Sequence, residues 1–285
     1  MNICTLFICF YVLKCSNEKS LRILSGKSAR SSQYSYVARM ELRITIPGAE
    51  KAFHICSSTV ITKAWTLTAA HCNVGLGNAL KPLGSNAKGV IRYEYVTKKT
   101  KIFRMKDTGS SDIIDLLSHP DYYEFSYPRV GFAIRNDIGL VKTNDIHLAE
   151  YGRISAVDYT SLYGYELMAV GFGLMNSSNG MNDTLNLKNP LQIVKVLVKK
   201  CERFFKSLTY PAICLAQRCG TATAVCSGDS GGPALYRGRI VAVNSAGNMN
   251  DCYTSNLRKR QNIVGILTPV SVYLDWIAET YVELV

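Results

Sequence analysis

Short apolar stretches alternate with turn residues along most of the chain. One of the longest, at residues 36–46, contains Tyr, Val, Thr and Ile side chains and ends at Pro47-Gly48. Shorter stretches of the same kind lie at residues 58–61, 66–69, 138–141, 167–170 and 240–243. Many short strands at this spacing predict an all-β barrel or sandwich.

The C-terminal segment departs from this pattern. Within residues 271–285 the apolar side chains recur at helical spacing, at Leu274, Ile277, Ala278, Tyr281 and Val282. This spacing predicts a C-terminal helix over residues 271–285 that docks one face on the core.

Cysteine usage indicates an oxidising compartment. The 285 residues include ten cysteines but no C-x-x-C pair, which argues against a zinc ribbon or a thioredoxin-like site. Disulfides are the better interpretation. Two N-glycosylation sequons, at Asn176 and Asn182, lie in an Asn-, Ser- and Gly-rich stretch over residues 174–184, which we expect to be an exposed, glycosylated loop.

The N-terminal apolar run at residues 3–13 is too short to span a bilayer but suits a signal peptide. A buried strand is the alternative. We favour a signal peptide over residues 1–15 and a secreted, extracellular protein, because polar residues follow the run almost at once. No later segment is apolar enough for a membrane helix, so we expect no membrane association.

The net charge of +12 includes basic clusters at residues 98–101 and 258–260. We interpret these clusters as solvated loops, and leave open that they attract acidic polysaccharide or membrane surfaces. No nucleic-acid-binding motif accompanies the charge, so no nucleic-acid partner is expected.

Three segments carry residues suited to nucleophilic catalysis: Thr68-Ala69-Ala70-His71-Cys72, Asn136-Asp137-Ile138-Gly139-Leu140 and Cys226-Ser227-Gly228-Asp229-Ser230-Gly231-Gly232-Pro233. Peptide hydrolysis needs an activated hydroxyl, a base and donors for an oxyanion. Ser230 supplies the hydroxyl, His71 the base and Asp137 the group that orients the imidazole. The backbone N–H groups of Gly228 and Ser230 are available for the oxyanion.

These segments make the chain resemble the chymotrypsin/trypsin family from Arg22 onward. The order His, Asp, Ser matches that family and not subtilisins or α/β-hydrolases. Further landmarks agree with it: Trp65, His119-Pro120-Asp121-Tyr122, Gly171-Phe172-Gly173, Ser245-Ala246-Gly247, Gly265-Ile266-Leu267-Thr268 and Trp276-Ile277.

The resemblance implies a fold and an activity. The fold is two antiparallel six-stranded Greek-key β-barrels, roughly residues 23–145 and 146–270, with the C-terminal helix at 271–285 and the site in the cleft between the barrels. The activity is that of a serine endopeptidase that works through an acyl-enzyme without a cofactor. Since the loop at residues 75–89 contains no Asp or Glu, we expect no calcium site and no other metal.

The resemblance also selects a disulfide pattern, which counting alone leaves open. The implied pairs are Cys56–Cys72, Cys201–Cys214 and Cys226–Cys252. Cys219 is left over, and we expect it to be free or intermolecular, with pairing to Cys15 as the alternative.

Residues near the predicted mature N-terminus imply activation by cleavage. Ile23-Leu24-Ser25-Gly26, which follows the basic residue Arg22, resembles the family's mature N-terminus. The resemblance implies that residues 16–22 form a propeptide and residues 23–285 the peptidase domain. In the family the freed α-amine pairs with the acid before the nucleophile, here Asp229. His54 matches a histidine thought to hold this acid in the precursor, and an ordinary packing role is equally open.

The implied specificity pocket consists of Ala224, Val225, Ser245, Gly247 and Gly265. With Ala224 at its floor and two glycines at its walls, we expect an open mouth and a preference for apolar or aromatic P1 residues, P1 being the residue before the cleaved bond. Chymotrypsin-like specificity is therefore favoured over trypsin-like specificity. Such a pocket cuts poorly after Arg22, which implies an upstream trypsin-like activating protease.

Besides protein or peptide substrates, the resemblance implies protein protease inhibitors as partners, and we expect a monomer. Two other functions remain open: a non-catalytic binding protein on the same fold, and a structural or receptor-binding protein. The complete triad argues against the non-catalytic binding protein, whereas Ser57 and Ser58 in place of the usual glycines, and Ala246 in place of Trp, keep it open. In the structural or receptor-binding protein, peptidase activity would be incidental.

Overall fold

The structure is a computed structural model that describes residues 27–30, 33–98, 104–127, 131–173, 190–202, 209–216, 225–226, 228–247 and 265–283. Several predictions fall outside these residues. They concern the signal peptide and propeptide, Arg22, Ile23, Ala224, Cys15, Cys219, Cys252, Asn176 and Asn182.

Strands dominate the described residues. They are β1 (Lys27–Ser28), β2 (Val37–Ile46), β3 (Ala49–Val60), β4 (Trp65–Thr68), β5 (Ala87–Lys98), β6 (Arg104–Ser118), β7 (Tyr123–Tyr127), β8 (Gly131–Arg135), β9 (Gly139–Thr143), β10 (Glu166–Gly171), β11 (Gln192–Lys199), β12 (Ile213–Ala216), β13 (Pro233–Tyr236), β14 (Arg239–Ala246) and β15 (Gly265–Pro269). The described residues also include two α-helices, α1 (Ala70–Leu80) and α2 (Leu274–Glu283), and 3₁₀ turns at Gly84–Asn86, Tyr159–Leu162 and Ser271–Tyr273.

The first half of the chain forms a closed antiparallel barrel in the order β2-β3-β4-β9-β6-β5. Along β2, Ala38, Met40 and Leu42 alternate with charged residues and enter the core, as a two-residue period requires. The alternate positions are buried as well: Arg39 is 4% exposed and Glu41 0%. Arg39 stacks on Phe172 of the second half, 4.1 Å from the ring centre, so this face of β2 packs against the other half of the protein.

The second half forms a sheet in the order β1-β11-β10-β13-β14-β15-β12. Because β12 also pairs with β11, its six strands from β10 to β15 close on themselves. The predicted all-β fold is confirmed, and β1 adds a seventh strand because Lys27 and Ser28 pair with the free end of β11. Strands β7 and β8 make a separate hairpin.

The helices differ from expectation in two ways. The C-terminal α-helix begins at Leu274 instead of residue 271, because a 3₁₀ turn occupies Ser271–Tyr273, and it is described as far as Glu283. Its apolar face packs as predicted, with Ile277 in the core and Tyr281 against Trp65. Helix α1 was not predicted. No helix in the described part of the chain is long and apolar enough to cross a membrane.

Disulfides connect the elements that surround the cleft. Cys56 in β3 is bonded to Cys72 in α1, and Cys201 is bonded to Cys214 in β12. Cys226 is also disulfide-bonded. Its predicted partner Cys252 lies outside the described residues.

Candidate active site

His71 and Asp137 form a two-point contact. His71 is the second residue of α1, and Asp137 lies just before β9, the strand that pairs with β4. The backbone N–H of His71 donates to Asp137 Oδ1 at 2.8 Å, while the ring Nδ1 lies 2.8 Å from Asp137 Oδ2. Both carboxylate oxygens of Asp137 therefore contact His71. This two-point contact fixes the plane of the imidazole and places its Nε2 away from the carboxylate.

This contact shifts both pKa values. Burial of the His71 ring opposes its charging, but the Asp137 carboxylate outweighs this and raises the pKa of His71 above its usual 6.5. Burial also opposes charging of Asp137, which is 1% exposed. Contact with His71 and a hydrogen bond from Ser245 nevertheless lower the pKa of Asp137 below its usual value. The carboxylate is thus ionised at neutral pH and stabilises an imidazolium.

Ser245 connects this pair to the nucleophile candidate. Its hydroxyl donates to Asp137 Oδ2 at 2.6 Å, and its carbonyl oxygen lies 3.5 Å from Ser230 Oγ as an acceptor. Within the described part of the chain, Ser230 Oγ makes no hydrogen bond to His71, whose Nε2 lies 3.5 Å from Cys72 Sγ. The structure therefore brings the three predicted triad residues to one site, with the serine hydroxyl turned towards Ser245.

The loop around Ser230 is a tight turn held by backbone hydrogen bonds. Gly231 has φ +79°, and its N–H donates to Asn244 O at 2.7 Å. A Cβ at Gly231 would overlap Thr68 Oγ1 and the Ser57 carbonyl, so only glycine allows this approach to the β3–β4 segment. The Ser230 carbonyl accepts from Ser57 N at 2.8 Å, which ties the nucleophile candidate to the first barrel.

Two N–H groups in this loop are available to a ligand. Among the described residues, the N–H groups of Gly228 and Ser230 make no hydrogen bond, whereas the N–H of Asp229 between them donates to Cys226 O at 3.0 Å. Backbone N–H groups without an internal acceptor are suitable donors to an oxyanion.

Asp229 is 2% exposed and lies between two glycines of the Gly171-Phe172-Gly173 segment. A Cβ at Gly171 would overlap Asp229 Oδ1, and one at Gly173 would lie 2.6 Å from its Cγ. The carboxylate accepts from Gly173 N at 2.9 Å and Cys226 N at 3.0 Å. Burial outweighs these two hydrogen bonds and raises the pKa of Asp229 to about 6. No cation of the described residues contacts it.

The two predicted wall glycines both lie close to Val225. A Cβ at Gly247 would overlap the carbonyl oxygen of Val225, and one at Gly265 would lie 3.2 Å from Val225 Cβ. The two glycines let the backbone approach Val225, and because the floor residue Ala224 lies outside the described residues, the open mouth stays a prediction.

His54 does not contact Asp229. Its Nε2 lies 3.1 Å from the carbonyl oxygen of Gly228, and its ring packs edge-on against Phe172. Burial and the nearby Arg39 lower the pKa of His54 to about 3, so the ring is neutral. Because a carbonyl only accepts, the contact requires the Nε2–H tautomer.

Three side chains of the kinds that bind metals lie close together, but two of them are joined by a disulfide. Ligand atoms of Cys56, His71 and Cys72 lie within 4.8 Å of one another. Both sulfurs belong to the Cys56–Cys72 disulfide, so neither is a thiolate that can bind a metal.

Sequence reasoning missed two features behind the loop: the Arg39 stack on Phe172 and the hydroxyl of Ser57. Ser57 Oγ donates to Gly228 O at 2.7 Å and accepts from Phe172 N at 2.9 Å. The only signal in the sequence was that a serine stands where a glycine was expected.

A family model described as Trypsin matches residues 23–277. The chain belongs to the trypsin family. This trypsin-family serine protease is 27% identical to Serine protease 1 of Drosophila melanogaster over 234 residues, which cover 79% of this chain and 74% of that protein.

Two other relatives of this trypsin-family chain match to a similar degree. Brachyurin from Leptuca pugilator is 27% identical over 230 residues, covering 79% of this chain and 86% of that protein. Chymotrypsin from Phaedon cochleariae is 25% identical over 268 residues, covering 91% and 82%. The fold matches neuropsin, a serine protease expressed in the limbic system of mouse brain, with a TM-score of 0.64 and 20% identity over 90% of this chain and 98% of that one.

Proposed function

We propose that this trypsin-family protein is the secreted precursor of a serine endopeptidase whose triad is His71, Asp137 and Ser230. The observation that carries the proposal is the chain of contacts from His71 through Asp137 and Ser245 to Ser230. His71 takes the proton of Ser230 as the hydroxyl attacks the substrate carbonyl, and returns it to the leaving amine. The developing oxyanion accepts from the N–H groups of Gly228 and Ser230.

For this reaction the Ser230 hydroxyl has to leave the Ser245 carbonyl and turn to His71 Nε2. The bond that it leaves is long, at 3.5 Å, and therefore weak. Hydrogen bonds between catalytic groups are often absent without substrate and form in the substrate complex.

We also propose that cleavage after Arg22 switches the enzyme on. In the uncut chain Asp229 is buried with hydrogen bonds from two N–H groups but no cation of the described residues. A freed α-amine of Ile23 would supply the missing charge. This pairing would stabilise the loop that carries Ser230.

The proposed substrates are proteins cut after apolar or aromatic residues. Val225, which is 3% exposed, and the two wall glycines present no carboxylate to a basic side chain. Burial of Leu, Met or Phe in the pocket contributes about 1.5–3 kcal/mol, whereas a buried Lys or Arg without a partner is costly. Secretion accords with the disulfides.

A fluorophosphonate probe, which reacts with an activated serine, tests the activity. We expect labelling of the purified protein to be weak before and strong after a trace of trypsin. Ser230→Ala should abolish labelling and lower peptidase activity by about four to six orders of magnitude. Ser58→Ala, which removes a different buried serine hydroxyl, should leave both unchanged. Absence of labelling in the trypsin-cut wild type would overturn the proposed function and favour a non-catalytic binding protein.

A further inference from the structure

Ser57 makes hydrogen bonds to residues in both halves of the protein. It belongs to β3 of the first barrel and is 0% exposed. Its N–H donates to the carbonyl of Ser230 at 2.8 Å, and its own carbonyl accepts from Thr68 Oγ1 at 3.1 Å. Its backbone therefore contacts both the loop of Ser230 and the strand that leads to His71.

The hydroxyl of Ser57 adds two contacts that a glycine cannot make. It accepts from the backbone N–H of Phe172 at 2.9 Å and donates to the carbonyl of Gly228 at 2.7 Å. A buried hydroxyl is costly unless it is hydrogen-bonded. Here both the donor and the acceptor function are used, so the hydroxyl is held in one orientation.

The Gly228 carbonyl is fixed from two sides. Besides Ser57 Oγ, it accepts from His54 Nε2 at 3.1 Å, so both lone pairs of its oxygen are occupied. Gly228 has φ +88°, a conformation that glycine adopts without strain but does not itself enforce. The two hydrogen bonds therefore restrain the peptide plane between Gly228 and Asp229, and through the Gly228 Cα they limit the orientations open to the Gly228 N–H in the preceding peptide.

The other end of this bridge reaches the segment that holds Asp229. Phe172, whose N–H donates to Ser57 Oγ, precedes Gly173, whose N–H donates to Asp229 Oδ1 at 2.9 Å. The Ser57 hydroxyl thus links the support of Asp229 to Gly228, the residue before it. Loss of the hydroxyl leaves the Phe172 N–H without this acceptor and the Gly228 carbonyl with His54 alone.

We propose that Ser57 is a positioning residue whose hydroxyl holds Gly228 so that its N–H is directed at the oxyanion of the substrate. The inference rests on the proposed function, since it deepens the account of the same site. The hydroxyl does not touch the substrate. It acts through the orientation of Gly228, so its removal should impair the transition state more than substrate binding.

Ser57→Ala and Ser57→Gly test this, with Ser58→Ala as the matched control. Ser58 is the adjacent serine and is also 0% exposed, but its hydroxyl faces the Ala38 carbonyl at 3.4 Å, away from the loop. Removal of an oxyanion donor lowers kcat by roughly 10²–10³. Loss of a support for the donor should cost less, and we expect kcat of the trypsin-cut enzyme to fall about tenfold with KM within twofold.

A second readout is the affinity for a peptide boronate, which forms a tetrahedral adduct on the serine. We expect boronate binding to weaken by the same factor as kcat in both Ser57 variants and to be unchanged in Ser58→Ala. Thermal unfolding of all variants accompanies the kinetics. If Ser57→Ala does not fold, Ser57→Gly, which removes the same hydroxyl, carries the test.

The outcomes separate this inference from the proposed function. An unchanged kcat in the Ser57 variants, a rise in KM alone, or an equal loss in Ser58→Ala would overturn the role of Ser57 while the wild type remains a protease. A trypsin-cut wild type that neither labels with fluorophosphonate nor cleaves peptides would overturn the proposed function, and the inference with it.

Discussion

The burial of Asp229 predicts that the uncut precursor and the cleaved enzyme respond differently to pH. The perturbation is cleavage after Arg22, which we expect to bring the Ile23 amine to the carboxylate. In the uncut chain Asp229 is 2% exposed and is stabilised only by the N–H groups of Gly173 and Cys226 among the described residues.

The size of the effect follows from the pKa of Asp229, which burial raises from 3.8 to about 6. One pKa unit corresponds to about 1.4 kcal/mol, so the ionised form costs the uncut fold about 3 kcal/mol. Because the pKa of Asp229 is raised in the folded protein, the protonated carboxyl favours the folded state. This stabilisation is fully present below pH 3.8 and is lost as the pH rises through about 6. The unfolding free energy of the precursor should therefore contain a decrease of about 3 kcal/mol over this window.

Cleavage should remove this decrease. A paired Ile23 amine lowers the pKa of Asp229, so ionisation of the Asp229 carboxyl no longer lowers the unfolding free energy of the protein. The Ile23 amine adds its own pH dependence to the unfolding free energy at higher pH. Its pKa, about 8 when free, is raised by the pairing, and its stabilisation is lost as the pH rises through the folded value.

Urea denaturation of the Ser230→Ala protein at a series of pH values from 4 to 9 measures both curves without self-digestion. When the unfolding free energy of the uncut form is subtracted from that of the cut form at each pH, the contributions of groups that titrate alike in both forms cancel. Acetylation of the new N-terminus is the control, and the acetylated form should follow the precursor. Parallel curves for the cut and uncut forms would refute the reasoning, as would an acetylated form that behaves like the free amine.

Three further predictions concern the site and its surroundings. The kcat/KM of the wild type should rise with pH through the pKa of His71, which lies above 6.5. Asp137→Asn should lower kcat by about 10⁴ and shift this rise in kcat/KM to lower pH. An unshifted rise would contradict the effect of Asp137 on the pKa of His71. Purified precursor incubated alone should stay uncut, and the trypsin-activated enzyme should cleave Leu, Met and Phe substrates faster than Arg substrates; spontaneous conversion at Arg22 would contradict the pocket assignment. Replacement of both Cys201 and Cys214 by Ser should lower the unfolding free energy in urea by about 3 kcal/mol, because their bridge restricts the unfolded chain by closing a loop with a sequence separation of 13; an unchanged midpoint would contradict this.

The limits of sequence reasoning are visible at particular elements. Helix α1 was missed because its sequence, Ala70–Leu80, contains three glycines or asparagines in its first eight positions besides His71 and has no capping side chain at Ala69. It is held by packing and by the Cys56–Cys72 bridge, which are tertiary features. The C-terminal helix was predicted because its apolar period is local.

The sequence by itself determined the strand-rich fold, the docking face of the C-terminal helix, and the His71, Asp137 and Ser230 candidates, because these depend on local periodicity and on motifs of adjacent residues. Tertiary structure decided the rest. The acceptor of the Ser57 hydroxyl is 171 residues away, and its donor 115 residues away. The stack of Arg39 on Phe172 likewise requires the second half of the chain to meet one face of β2. Neither contact leaves a local pattern, since each arises only when distant backbone segments meet.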